Sequence, residues 1–121
     1  MAYASAPNEK ARMLRVGTEQ TLSGEQLEYI WYSGSPGHFK GVIVVKTDRF
    51  GQRWQLQIGR GSFVTVRVAA GMLGVTPMTV TNWVRAGQFP NAKTKNRATV
   101  VPFHDIERIA RGRGLQLPYA E

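Results

Sequence analysis

Met78, Thr81, Asn82 and Arg85 fall at positions i, i+3, i+4 and i+7 of a stretch that opens Thr76-Pro77 and closes Ala86-Gly87. On a helix these four side chains share one face. Their chemistry is recognition and not bond making. A guanidinium offers a donor fork, a carboxamide offers a donor beside an acceptor, and a thioether or a threonine methyl offers apolar contact. The same set complements base edges in a major groove, with Arg85 bidentate to guanine, Asn82 bidentate to adenine, and Met78 and the Thr81 methyl against thymine methyls. A second group, Lys93, Lys95 and Arg97, alternates with Ala92, Thr94 and Asn96 around a turn at Lys95-Asn96. Such a cationic hairpin tip suits a phosphate backbone or a narrow minor groove. Thr65, Arg67, Thr76 and Thr79 lie in the opening turns of two expected helices, where backbone N–H groups and short side chains suit phosphate oxygens.

Bond-making chemistry lacks candidates. The chain has no cysteine, and its two histidines, His38 and His104, are far apart in sequence. The eight acids are scattered, no HExxH pattern occurs, and Gly59-Arg60-Gly61 is too short for a phosphate-cradling loop. The expectation is a protein that is not an enzyme, with no catalytic residue, metal or cofactor. Sixteen Lys and Arg against eight Asp and Glu leave a formal net charge of +8. Residues 1–60 hold a surplus of three positive charges and residues 61–121 a surplus of five. A surplus of this size points to a polyanionic partner. The longest apolar run, Val42 to Val45, is far below the roughly 20 residues that cross a bilayer. The N-terminus shows no basic stretch followed by an apolar one, so no signal peptide and a cytoplasmic, nucleoid location are expected.

The elements that must position these residues can be read from cap and turn residues. Thr65 opens a helix over Val66 to Leu73 with an apolar stripe of Val66, Ala69, Ala70 and Leu73, closed by Gly74. Val75 is the apolar residue of the turn. Thr76 and Pro77 start the second helix, as a cap followed by proline at the first helical position. Val80, Trp83 and Val84 form its inward face. Phe89-Pro90 leads to a hairpin over 92–101, and Pro102 opens a last helix burying Phe103, Ile106, Ile109 and Ala110. The expected core of this half is Val66, Ala70, Leu73, Val75, Val80, Trp83, Ile106 and Ile109.

The stretch Thr65 to Pro90 resembles the excisionase-type and MerR-like winged helix-turn-helix family. Ala69-Ala70, Leu73-Gly74-Val75, Thr76-Pro77, Val80, Trp83 and Gly87 before Phe89-Pro90 carry the likeness, with Val101-Pro102 and Asp105-Ile106-Glu107 resembling the helix after the wing. The resemblance covers about residues 65–111 and implies double-stranded DNA binding, with helix 77–86 in the major groove and 92–101 as the wing. MerR regulators carry this module at the N-terminus, ahead of a long coiled coil. Here it is C-terminal, so inducer binding is not implied.

The N-terminal half is less regular. Residues 1–13 read as a flexible N-terminus, and a first element is expected near Leu14 to Val16. Leu22 to Gly34 carries capping-box grammar, with Ser23 as cap and Gln26 three residues on, so a helix is preferred there. A strand competes, because Tyr29-Ile30-Trp31-Tyr32 is rich in β-formers. After a break at Ser33 to Gly37, two runs, Lys40 to Thr47 and Gln52 to Ile58, read as a hairpin around Asp48-Arg49-Phe50-Gly51. Trp54, Leu56 and Ile58 alternate with Arg53, Gln55 and Gln57 as in a half-buried strand.

The expected class is therefore α+β: a small α/β extension over 14–60, a winged helix-turn-helix over 61–114, and a tail over 115–121 containing Leu115, Leu117 and Tyr119. The extension can add Lys46, Arg49 and Arg53 to a DNA surface, or bury Trp54, Leu56 and Ile58 by packing or self-association, which is the preferred reading. A single module of this kind buries only about 600–1,000 Å² on DNA, so a dimer or cooperative multimer is expected, through the first half or the tail. The functional expectation is a small sequence-specific regulator or excisionase-like factor of prokaryotic, phage or plasmid origin. One alternative is the DNA-recognition subunit of a larger, small-terminase-like assembly, working with a protein partner. Another is a single-strand or RNA binder stacking bases on Tyr29, Trp31, Phe50 and Trp54.

Overall fold

The computed structural model describes residues 12–34 and 40–119. The segment 1–11, most of the break at 33–37, His38 and the last two residues of the tail lie outside the described residues. In chain order the elements are β1 (Arg12–Gln20), β2 (Gln26–Ser33), β3 (Lys40–Thr47), β4 (Arg53–Ile58), β5 (Phe63–Thr65), α1 (Val66–Leu73), α2 (Pro77–Arg85), β6 (Lys93–Lys95), β7 (Ala98–Pro102) and α3 (Phe103–Gly112). The strands form an antiparallel meander ordered β1-β2-β3-β4 and a three-stranded sheet ordered β5-β7-β6. The class is mixed α+β. Among the described residues no helix is long and apolar enough to cross a membrane.

The segment Leu22 to Gly34 is a strand and not a helix. Its Ser23-Gly24 pair sits in a tight turn, where Gly24 N–H donates to the Thr21 carbonyl at 3.0 Å and Glu25 N–H to the Thr21 hydroxyl at 3.0 Å. Short polar residues with a glycine serve turns as readily as caps, since both replace backbone partners with side-chain oxygens. Beyond the turn the chain has the period of a strand, with Leu27, Tyr29 and Trp31 turned to one face and β1 and β3 paired on either side. β1 is longer than the expected Leu14–Val16 element, and its register slips between Arg15 and Gly17. Leu14 and Val16 pack on the core, as residues two apart on a strand share a face, and the extra residue of the slip brings Glu19 opposite Leu27 on that same face.

Residues 40–58 form the expected hairpin. The Asp48 carboxylate closes it, with Oδ1 accepting from Phe50 N–H at 2.9 Å and Gln52 N–H at 2.8 Å. The burial expected along β4 holds only for Ile58. Trp54 is 52% and Leu56 61% exposed. α1 packs over β1 and β2, so the outer end of β4 extends beyond the helical layer.

One core joins the four-stranded sheet to the helices. Tyr29 and Trp31 lie in the same buried cluster as Ala69, Ala70, Met72, Val80, Phe103 and Ile106. The Trp31 indole Nε1 donates to the Met72 carbonyl at 2.9 Å, satisfying a group of the last turn of α1 that has no partner within the helix. Its ring lies 5.6 Å from that of Phe103, centroid to centroid. Gly71 is the complementary half of the joint: a Cβ there would overlap the Tyr29 ring. Glycine inside a helix costs about 0.5–1 kcal/mol relative to alanine, and here that cost admits an aromatic ring against the backbone. With Tyr29 and Trp31 buried, neither can serve as a stacking platform for bases.

Candidate nucleic-acid interface

α1 and α2 are set by their caps. The Thr65 hydroxyl accepts from Val68 N–H at 3.3 Å and the Thr76 hydroxyl from Thr79 N–H at 3.2 Å. Thr76 and Thr79 also share a hydroxyl contact at 2.9 Å. Gly74, in the left-handed region at φ 72°, sends its N–H to Gly71, and Val75 N–H reaches Ala70 at 3.0 Å. This paired closure turns the chain sharply between the helices. α2 ends the same way at Gly87, with Gln88 N–H on the Trp83 carbonyl at 2.9 Å.

Val80 is fully buried, and Trp83 and Val84 pack partly buried against the core. The Arg113 guanidinium lies 5.1 Å from the Trp83 ring centroid and covers its outer side. Met78 is therefore 64% exposed, Asn82 and Arg85 are exposed, and Thr81 lies half-buried at the flank. Neither α1 nor α2 carries an acid in its first turn, so the positive ends of both helix dipoles are left uncompensated. All eight residues expected in the core of this half are buried or pack on the cluster: Ala70, Leu73, Val80, Ile106 and Ile109 are buried, while Val66, Val75 and Trp83 are partly so.

β6 and β7 form a hairpin whose two-residue turn is Asn96-Arg97, one position later than the expected tip. Both residues have positive φ, 51° and 67°. That is the turn whose twist matches flanking strands, and its second position favours glycine. An arginine there costs about 1–2 kcal/mol in the left-handed region. Lys95 and Arg97 are exposed, and Lys93 Nζ lies 4.7 Å from the Phe63 ring centroid, tying the hairpin to β5. The loop before the hairpin is held by Asp105, which is 1% exposed and accepts from Asn91 N–H and Nδ2 at 3.3 Å each. Arg108 and His104 face the same carboxylate at 3.6 and 3.7 Å.

Arg67, expected on a phosphate, is engaged within the fold, although its side chain stays 58% exposed. It pairs with Glu19 of β1 at 2.8 Å, and Glu19 also accepts from the Tyr29 hydroxyl at 3.2 Å. Burial, and then the charge and hydrogen bond of Glu19, push the Tyr29 phenol up to about 12. Nothing local in the sequence marks the Arg67–Glu19 pair, which spans the two halves. Arg113 over Trp83 and Asp105 beneath the hairpin are equally unmarked by any local pattern. Asp105 followed by Arg108 at i+3 looks like an ordinary surface pair until the helix is oriented. Glu107 is buried too, accepting from the Tyr119 hydroxyl at 2.6 Å and facing Arg60 at 3.5 Å, so tail and linker both anchor on α3.

Comparison with known families bears on this half alone. Residues 63–114 match the model of a helix-turn-helix domain. The match starts at β5 and ends just after α3, taking in both capped helices, the hairpin and the helix beneath it. It supports membership of this segment in a helix-turn-helix DNA-binding family, and with it DNA binding by a regulatory protein. No curated protein and no solved structure matches the chain.

Proposed function

We propose that the protein is a small sequence-specific binder of double-stranded DNA, a transcriptional regulator or excisionase-like factor of winged helix-turn-helix type. The observation that carries this reading is the outward face of α2. Met78, Asn82 and Arg85 stand together in solvent on a helix that Val80, Trp83 and Val84 fix against the core. In the major groove Arg85 takes guanine, Asn82 takes adenine, and Met78 with Thr81 contacts thymine methyls. The β6–β7 hairpin acts as the wing, with Lys93, Lys95 and Arg97 on the backbone or in the adjacent minor groove. Helix N-terminal N–H groups by Thr65, Thr76 and Thr79 serve phosphates, while Arg67, engaged by Glu19, orients α1.

The strained turn supports the wing assignment. Local energetics favour glycine at position 97, and an arginine held there at positive φ is matched to a contact outside the fold. The chain acts by binding alone, without catalysis, metal or cofactor, in a bacterial cytoplasm on the nucleoid. MerR-like inducer sensing is not part of this reading.

Selection of bound duplexes from a random pool, followed by gel shift, tests it. The selected duplex binds far more tightly than a scrambled one. Arg85→Ala loses about 1–3 kcal/mol of that discrimination, at one base position, and keeps its non-specific binding. Equal affinity of the parent for selected and scrambled duplexes would refute the reading.

A further inference from the structure

The four-stranded sheet has two edges, and they are treated differently. Along β1 the register slips at Gly17, Arg15 pairs with Glu28, and α1 packs over the strand. These are recognised ways of blunting an edge. β4 has no register slip, proline, glycine or acid, and Arg53 is its only charge. It presents Trp54 and Leu56 more than half exposed, and no strand pairs with its free side among the described residues.

The phase of the free backbone groups is set by the hairpin closure. Asp48 N–H donates to the Gln52 carbonyl at 2.8 Å, so Gln52 points toward β3. In an unbroken antiparallel ladder the direction alternates, so Trp54, Leu56 and Ile58 bond to β3 while Arg53, Gln55 and Gln57 point outward.

We propose that β4 pairs antiparallel with β4 of a second copy, about a two-fold axis at Gln55, extending the sheet across both copies. In this register Gln55 exchanges N–H and C=O with Gln55 of the second copy, and Arg53 does so with Gln57. Every outward donor and acceptor of β4 then finds a partner. Trp54 falls opposite Leu56 of the second copy in the closer, non-hydrogen-bonded pairing, twice over, and covers the exposed apolar surface. Neutral amides meet amides on the other face, and Arg53 meets an amide, so no like charges stand opposite. Moving the axis by one residue, to Trp54 or Leu56, would pair Gln55 with Arg53 or Gln57 and leave the third outward residue opposite a position beyond β4, so the axis at Gln55 is the one that pairs all three within the strand.

Two short strands with four half-covered apolar side chains bury on the order of 1,000 Å² in total, near the lower bound for a specific interface. Two copies of a chain carrying a net charge of +8 also repel. Pairing is accordingly weak in free solution, and it strengthens with salt and wherever a polyanion neutralises both copies.

The test exploits the absence of cysteine and needs no DNA. Gln55→Cys brings two thiols together across the axis, with Cα atoms about 5.5 Å apart and within disulfide range. Gln57→Cys places them about 13 Å apart along the strands, out of range, although mixed with Arg53→Cys it gives a heterodimer. Under mild oxidation in roughly 0.3 M salt, Gln55→Cys cross-links at least tenfold faster than Gln57→Cys alone, and adding Leu56→Lys abolishes the difference. Equal rates for Gln55→Cys and Gln57→Cys, or cross-linking that survives Leu56→Lys, would overturn the proposal. A surface serving DNA instead would show as no selective cross-link together with weaker binding of Leu56→Lys to a duplex holding one site. Loss of DNA recognition in Arg85→Ala leaves the cross-link unchanged, so failure of one reading is distinguishable from failure of the other.

Discussion

Within residues 63–114 the ends of α1 and α2 are fixed by groups at most five residues away, such as Thr65 on Val68 and Val75 on Ala70. The four-stranded sheet is docked by partners far along the chain, with Trp31 bonded to Met72 across 41 positions and Glu19 paired with Arg67. The first region is specified locally and takes its place in the core from apolar stripes. The second has a local period but depends on the first for a surface to cover. A region built this way docks cooperatively or not at all, so the sheet is structurally part of the DNA-binding unit and not a tethered appendage.

The largest expected effect lies at the joint. Trp31→Ala removes a fully buried ring and leaves the Met72 carbonyl unpaired, costing about 3–5 kcal/mol of stability. Chemical denaturation followed by circular dichroism should show one destabilised transition. Two separate transitions, with the helical one unmoved, would break the picture of a common core. Next comes alkaline pH. The Tyr29 phenol is held protonated by burial and Glu19, and Tyr119 is raised in the same direction by burial and Glu107. The unfolded chain therefore ionises first. Stability is complete below pH 10, the ordinary tyrosine value, and falls as pH climbs from 10 toward 12 by about 1 kcal/mol per unit for each phenol. Tyr29→Phe flattens part of that fall in a series of melts.

Arg97→Gly sharpens the contrast from the other side. Relieving the left-handed arginine raises stability by about 1 kcal/mol, while binding to every duplex weakens alike. A variant both more stable and equally tight in binding would remove the wing from the interface. The smallest effect is Lys95→Ala, which lowers the salt slope of binding by about one and leaves sequence preference intact. Titration at several ionic strengths reads it.

The same contrast governs what the sequence discloses. Helix boundaries in the C-terminal half are legible because Thr65, Gly74, Thr76, Pro77 and Gly87 mark them directly. The β3–β4 hairpin is legible from Asp48 and Gly51 between alternating runs. Leu22 to Gly34 misleads, because Ser23-Gly24 serves a turn with the residues that would cap a helix. Trp54 and Leu56 mislead for another reason. Alternation says that a strand has an apolar face, but the position of α1 decides whether anything covers it. Arg67 illustrates the limit at the site itself, since its partner Glu19 lies on a strand whose docking no local pattern reveals.

The chain contains three tryptophans, and each occupies a different kind of place. Trp31 is sealed in the joint, Trp54 stands at the open strand, and Trp83 lies beneath Arg113 on α2, the helix proposed to read bases. Their fluorescence separates accordingly. Red-shifted emission from the first reports melting, quenching or blue shift of the second reports association between copies, and a change in the third reports engagement of a duplex. Variants that keep the buried Trp31 and replace Trp54 or Trp83 with phenylalanine would thus separate folding, assembly and binding by difference, without any added dye.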